Sequence, residues 1–150
     1  MKKGLLFVVT LISLNSIAQK VDVGDDHIIT VDKQNYAMID REGCGMFEAE
    51  CKFNVFDLDS TKQIVIMFRS YKDYMEIKPA NKEGIVRYCE FVFLKSKKKA
   101  EVGSVFLKSA KMAKIIVKAN LFKDGKLDEA AVDEFVIING TPFSDRARKL

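Results

Sequence analysis

The side chains in this sequence that can carry chemistry are few and scattered. His27 is the only histidine, which removes two-histidine metal sites, and no nucleophile context surrounds it to build a triad. Glu48 and Glu50 are one residue apart in an alternating run and project from one face about 7 Å apart. That separation is near the window used by glycosidase carboxylate pairs, but such enzymes draw their acids from different elements facing a cleft. Here Lys52 continues the same polar face, so the pair reads as the wet back of a strand. Asp57 and Asp59 invite a calcium reading, yet the stretch lacks the Asp/Asn series, glycine and closing glutamate of an EF-hand. Asp124 with Asp128 fails the same test. No glycine-rich phosphate loop occurs. No cofactor or metal is expected.

Three cysteines, Cys44, Cys51 and Cys89, allow one bridge and always leave one thiol over. Cys51 shares strand parity with Phe53, and Cys89 with Phe91 and Phe93, so both are expected to face the core. A Cys51–Cys89 bridge between neighbouring strands and two buried unpaired thiols are both open. Cys44 lies between two glycines and is the loop cysteine, the expected point of attack for a thiol reagent.

The remaining signal is basic. Lys97, Lys98 and Lys99 lead toward a helix on which Lys108, Lys111, Lys114 and Lys118 form a stripe. An anionic surface, such as a headgroup layer or an acidic polysaccharide, is one physically reasonable partner; an ordinary solvated helix face is the plainer reading. Nucleic acid is not expected, because no aromatics interleave with these lysines. Without Lys2 and Lys3 the chain holds 23 basic residues against 21 acidic ones, close to neutral.

Those side chains must be positioned by elements that periodicity locates. The clearest is an amphipathic helix over residues 104–119, with Ser104 as N-cap. Val105, Phe106, Met112, Ala113, Ile116 and Val117 gather on one side, and Leu107 and Ile115 interrupt the basic one. Asn120 is placed for a left-handed C′ position, with Leu121 and Phe122 folding back. A second helix over residues 128–139 is capped by Asp128 and stopped by Gly140, with Ala131, Val132, Phe135 and Ile138 on its apolar side. Five β-prone runs precede them, at roughly 27–31, 35–40, 46–58, 63–71 and 85–94. Residues 19–26 read as frayed and 95–103 as a lysine-rich lead into the helix. Residues 123–126 read as a turn, and those after Phe143 as loose. Residues 72–84 form the longest irregular stretch, with Tyr71 and Tyr74 at its start. The expected fold is α+β: an antiparallel sheet of about five strands with two C-terminal helices on one face. Residues 19–150 form a single domain.

The first eighteen residues read as a secretory signal of bacterial type: basic Lys2-Lys3, an apolar run over residues 4–14, and Ser16-Ile17-Ala18 before Gln19. The apolar run falls well short of the roughly 20 residues needed to span a bilayer, so no transmembrane span is expected once the signal is removed. The expected address is the periplasm or the cell surface. The expected function is a small exported, non-catalytic binding domain, with Tyr71, Tyr74 and Cys44 as contact residues because function concentrates on loops. Its rivals are a carboxylate-dependent hydrolase, using Glu48 or Glu50 with Asp57 or Asp59, and a structural component of an exported assembly. Intact-mass analysis of protein from its native host should give a chain beginning at Gln19; retention of Met1 would overturn the leader.

Overall fold

The computed structural model describes residues 19–44, 51–103 and 108–150. The leader, Glu48 and Glu50, and the expected helix start at Ser104 with Val105, Phe106 and Leu107 all lie outside these residues.

Among the described residues, seven strands form one antiparallel sheet in simple meander order. They are β1 (Val21–Val23), β2 (Ile28–Val31), β3 (Gln34–Glu42), β4 (Lys52–Phe56), β5 (Lys62–Lys72), β6 (Ile85–Phe93) and β7 (Lys99–Gly103). Two of these strands were not expected. β1 is only Val-Asp-Val, too short for periodicity to register, but Val21 and Val23 pair with Val31 and Ile29 and pack on the core. β7 is masked in the sequence by its lysines. Ala100 is buried beside Phe91, while the neighbouring Lys99 points to the opposite face and pairs with Glu90.

The helices follow the sheet. α1 (Ser109–Lys118) starts five residues later than expected, and its N-cap residue is Lys108, whose side chain makes no capping bond. Its orientation is the expected one. Met112, Ala113, Ile116 and Val117 are buried, and Lys108, Lys114 and Lys118 are exposed. Asn120 takes a left-handed φ of 50°. The Asn120 amide donates to the Val117 carbonyl and the Leu121 amide to the Ile116 carbonyl, the paired bonds of a Schellman cap. Leu121 and Phe122 thereby enter the core. A two-residue ladder, β8 (Phe122–Lys123) with β9 (Lys126–Leu127), replaces the simple turn. In α2 (Glu129–Asn139) the Asp128 carboxylate accepts the Ala130 and Ala131 amides. Phe135 meets Phe91 and Phe93 edge-on at centroid distances of 5.1 and 6.0 Å.

Ile138 departs from expectation: it is 71% exposed, beside Ile137 at 83%. The last turn of α2 has reached the margin of the sheet, where the Glu101 amide donates to the Gly140 carbonyl, and no further strand lies beneath it. Past Gly140 the chain rounds the β7 edge into α3 (Pro142–Ala147), where a loose tail was expected. Phe143 of α3 stacks on Tyr88 at 5.1 Å and 9°. Tyr88 and Glu101 belong to the sheet face opposite Phe91 and Ala100, so α1 and α2 cover one face and α3 straps one end of the other.

The cysteine expectations are corrected. Cys44 is bonded to Cys51, with Cα atoms 4.4 Å apart, and so offers no free thiol. Cys89 is the free cysteine, fully buried, and burial pushes its thiol up to about 12. It behaves as a small core hydrophobe, protonated at any physiological pH.

Complete burial of Ile116 contributes about 2 kcal/mol, and a carboxylate there would stand unpaired in the core. Ile116→Asp should abolish cooperative unfolding in circular dichroism melts; a wild-type melting curve would refute the orientation of α1.

Candidate functional site

In a meander, alternate connections emerge at the same end of the sheet. The β5–β6 loop, residues 73–84, therefore shares its end with the β3–β4 loop, while the lysine turn at 94–98 lies at the other end. The loop is ordered by its polar side chains. Asp73 is fully buried; one carboxylate oxygen accepts the Met75 amide at 2.9 Å, capping a 3-10 turn over Tyr74–Glu76. Its other oxygen is ion-paired with Arg146 of α3. The Asn81 side-chain amide donates to the carbonyls of Glu76 (3.2 Å) and Ile85 (3.1 Å), and its oxygen accepts the Ile85 amide at 3.0 Å. Gly84 sits at φ +63°, and a Cβ there would collide with the Asp73 carbonyl oxygen. This loop has polar groups inside and apolar ones outside. Tyr74, Met75 and Ile77 are 83, 81 and 51% exposed.

Between the loop and α3 lies a cavity of about 460 Å³, walled by Tyr71, Ile85, Val86, Pro142 and Phe143 and by the polar Glu76, Asn81 and Arg146. One terminal nitrogen of Arg146 serves both Asp73 and Glu76; its Nε and other terminal nitrogen make no hydrogen bond to a described residue. Glu76 also accepts from Lys78 at 2.8 Å, and that bond holds its carboxyl below the usual value. The Tyr71 ring meets Tyr88 edge-on at 6.3 Å. The Tyr71 hydroxyl oxygen is sealed from solvent without a hydrogen-bond partner among the described residues, and burial raises its pKa.

Of the expected contact residues, Tyr71 lines this cavity and Tyr74 lies on the exposed shoulder of the same loop. Cys44 is elsewhere, locked in its disulfide. The lysines do not form one plane. Lys98 pairs with Asp133 of α2, and Lys99 pairs with Glu90 on the opposite sheet face at 2.7 Å. Lys97 occupies the β6–β7 turn with φ 58°. Lys108, Lys111, Lys114 and Lys118 remain a separate stripe along α1. Arg146, Asn81 and Phe143 were not found from the sequence. The one available signal was the polar cluster of Asp73 and Asn81 within a loop otherwise carrying exposed hydrophobes.

Of the carboxylates named for hydrolysis, Glu48 and Glu50 lie outside the described residues, and Asp57 lies in the β4–β5 turn. Asp57 accepts the Asp59 and Thr61 amides at 3.0 and 2.9 Å and the Gln63 side chain at 2.9 Å, and it pairs with Lys126 at 3.5 Å. Burial pushes its carboxyl up, but the bonds from Thr61, Gln63 and Lys126 outweigh it and hold the group below its ordinary value. It is an ionised turn anchor, unsuited to donating a proton. No cluster of three or more metal-ligating side chains occurs among the described residues, and no described helix is long and apolar enough to cross a membrane. No protein-family model, curated protein or solved structure matches this chain, so its functional reading rests on its own geometry.

An unpartnered buried hydroxyl costs on the order of 1–3 kcal/mol. Tyr71→Phe should therefore unfold in urea at the same or a higher midpoint than wild type; a loss of more than about 1 kcal/mol would show that the hydroxyl is bonded.

Proposed function

We propose that this chain is an exported, non-catalytic binding domain that takes up its ligand in the cleft between residues 73–84 and α3. The observation that carries the reading is the cavity itself. Its walls combine apolar side chains with the polar Glu76, Asn81 and Arg146. Arg146 has N–H donors without an acceptor among the described residues, and the fold leaves an apolar shoulder in solvent. Concave apolar sites with a few oriented polar groups are the usual form of ligand pockets. The cleft is also held rigidly, because the buried Asp73 carboxylate ties the loop to α3, and preorganisation lowers the ordering cost of binding. Export is supported by the leader pattern and by the Cys44–Cys51 disulfide, which suits an oxidising compartment. The non-catalytic reading is supported by the commitment of Asp57 and Asp73 to local structure and of Glu90 to Arg69 and Lys99.

The test is a nitrogen-15 labelled domain titrated with a small-fragment library. Amide shifts should concentrate in residues 71–86 and 142–146. Shifts confined to the α1 lysine face, or none anywhere, would overturn the assignment.

A further inference from the structure

Resting on that reading, we infer that the ligand of the cleft is an uncharged, apolar segment of polypeptide. Three observations decide the class. The first is charge. Arg146 and Lys78 are matched by Asp73 and Glu76, with Arg146 paired to both acids and Lys78 to Glu76. These four groups compensate one another before anything binds, and the nearby Glu101 is taken up by the Phe143 and Ser144 amides. A charged ligand would therefore enter without a free partner beside the apolar part of the wall. The second is hydrogen-bonding character. Glu76 is engaged by two cations, whereas Nε and one terminal nitrogen of Arg146 are still without acceptors among the described residues. The wall thus offers donors and calls for uncharged acceptors. A peptide backbone supplies a carbonyl at every residue.

The third observation is apolar surface. Ile85, Val86, Pro142 and Phe143 wall the cavity, and Tyr74, Met75 and Ile77 lie exposed on the neighbouring turn. Three large hydrophobes within four residues, on a turn fastened by Asp73, Asn81 and Gly84, form a fixed ledge that cannot fold inward. Apolar side chains of an extended segment would rest on the ledge and fill the cavity, while its carbonyls meet Arg146. An exposed Tyr and Met flanking a pocket are the residue types enriched at protein interfaces.

The chain contains no Trp, so a Trp-bearing probe reports its own burial without background. The probe is an acetylated and amidated hexapeptide of Leu, Val and one Trp, titrated into the mature domain. Its emission should shift to the blue and saturate, with an affinity unchanged between low and high salt. Met75→Asp changes a side chain that is 81% exposed; it should keep the wild-type melt and weaken the peptide about tenfold. Lys114→Glu, on the far stripe, should leave binding intact.

Failure would be equally clear. If the peptide gives no shift while fragments still move cleft resonances, the ligand class is wrong and the cleft reading stands. If neither perturbs the cleft, both fall. Binding that is abolished by salt or by Lys114→Glu would place the contact on α1 instead and overturn the inference. Unaltered affinity in Met75→Asp would remove the ledge from it. Retention of the domain on phosphatidylcholine vesicles through Met75, with no peptide binding, would show that the ledge meets lipid and not polypeptide.

Discussion

A row of apolar side chains crossing four strands carries the fold. Ile39 lies opposite Val55, Val55 opposite Ile64 and Ile64 opposite Phe93, and all four are fully buried. The next row, Phe53, Ile66, Phe91 and Ala100, repeats the arrangement one step along. A register slip of one residue on any of these strands would turn its half of the core into solvent. Everything outside the sheet answers to this face. α1 brings Met112, Ile116 and Val117 down on one side of it, and α2 brings Val132 and Phe135 down on the other.

The second constraint is electrostatic. Asp57, Asp73, Glu90 and Glu101 are all buried or nearly so, and each has hydrogen-bond or ion-pair partners. Asp57 closes the β4–β5 turn. Glu90 sits between Arg69 and Lys99 on the face opposite α1 and α2. Glu101 accepts the Phe143 and Ser144 amides at 2.8 and 3.0 Å and holds the start of α3. Asp73 ties the far end of the same helix through Arg146. The last helix is thus fixed by two acids, Glu101 of β7 and Asp73 of the β5–β6 loop, and between those anchors the cleft takes shape. Local polar satisfaction and site formation are one event here.

The cysteines show how covalent and packing roles separate. A bridge spanning seven positions, Cys44 to Cys51, closes only a local loop, and short loops gain least from such closure. Cys89, which faces Phe68 and Val102 across its neighbouring strands, is left to pack. Strand parity placed Cys51 and Cys89 on one face, but β5 runs between their strands. The nearer partner across the β3–β4 loop therefore prevails.

Much of the architecture was legible because it is written in period. The alternation through Phe53 and Val55, the unbroken apolar run of β5, the 3.6-residue pattern ending at Val117 and the Asp128 and Asn120 caps are all local signals, and each appears where its chemistry demands. Short elements with weak or charged patterns were not legible. β1 has three residues, β7 carries lysine, and α3 is only six residues long and is held by partners about forty and seventy positions away. The candidate site belongs to that second group. Tyr71 and Tyr74 could be named from their loop, but Arg146 and Phe143 join its wall, with Asp73 tying Arg146 in place, only because the chain rounds the β7 edge at Gly140. Periodicity, caps and turn residues act within a few positions, so the linear order of residues determined them. The cleft depends on which sheet face a distant helix reaches, and only the closed tertiary structure decides that.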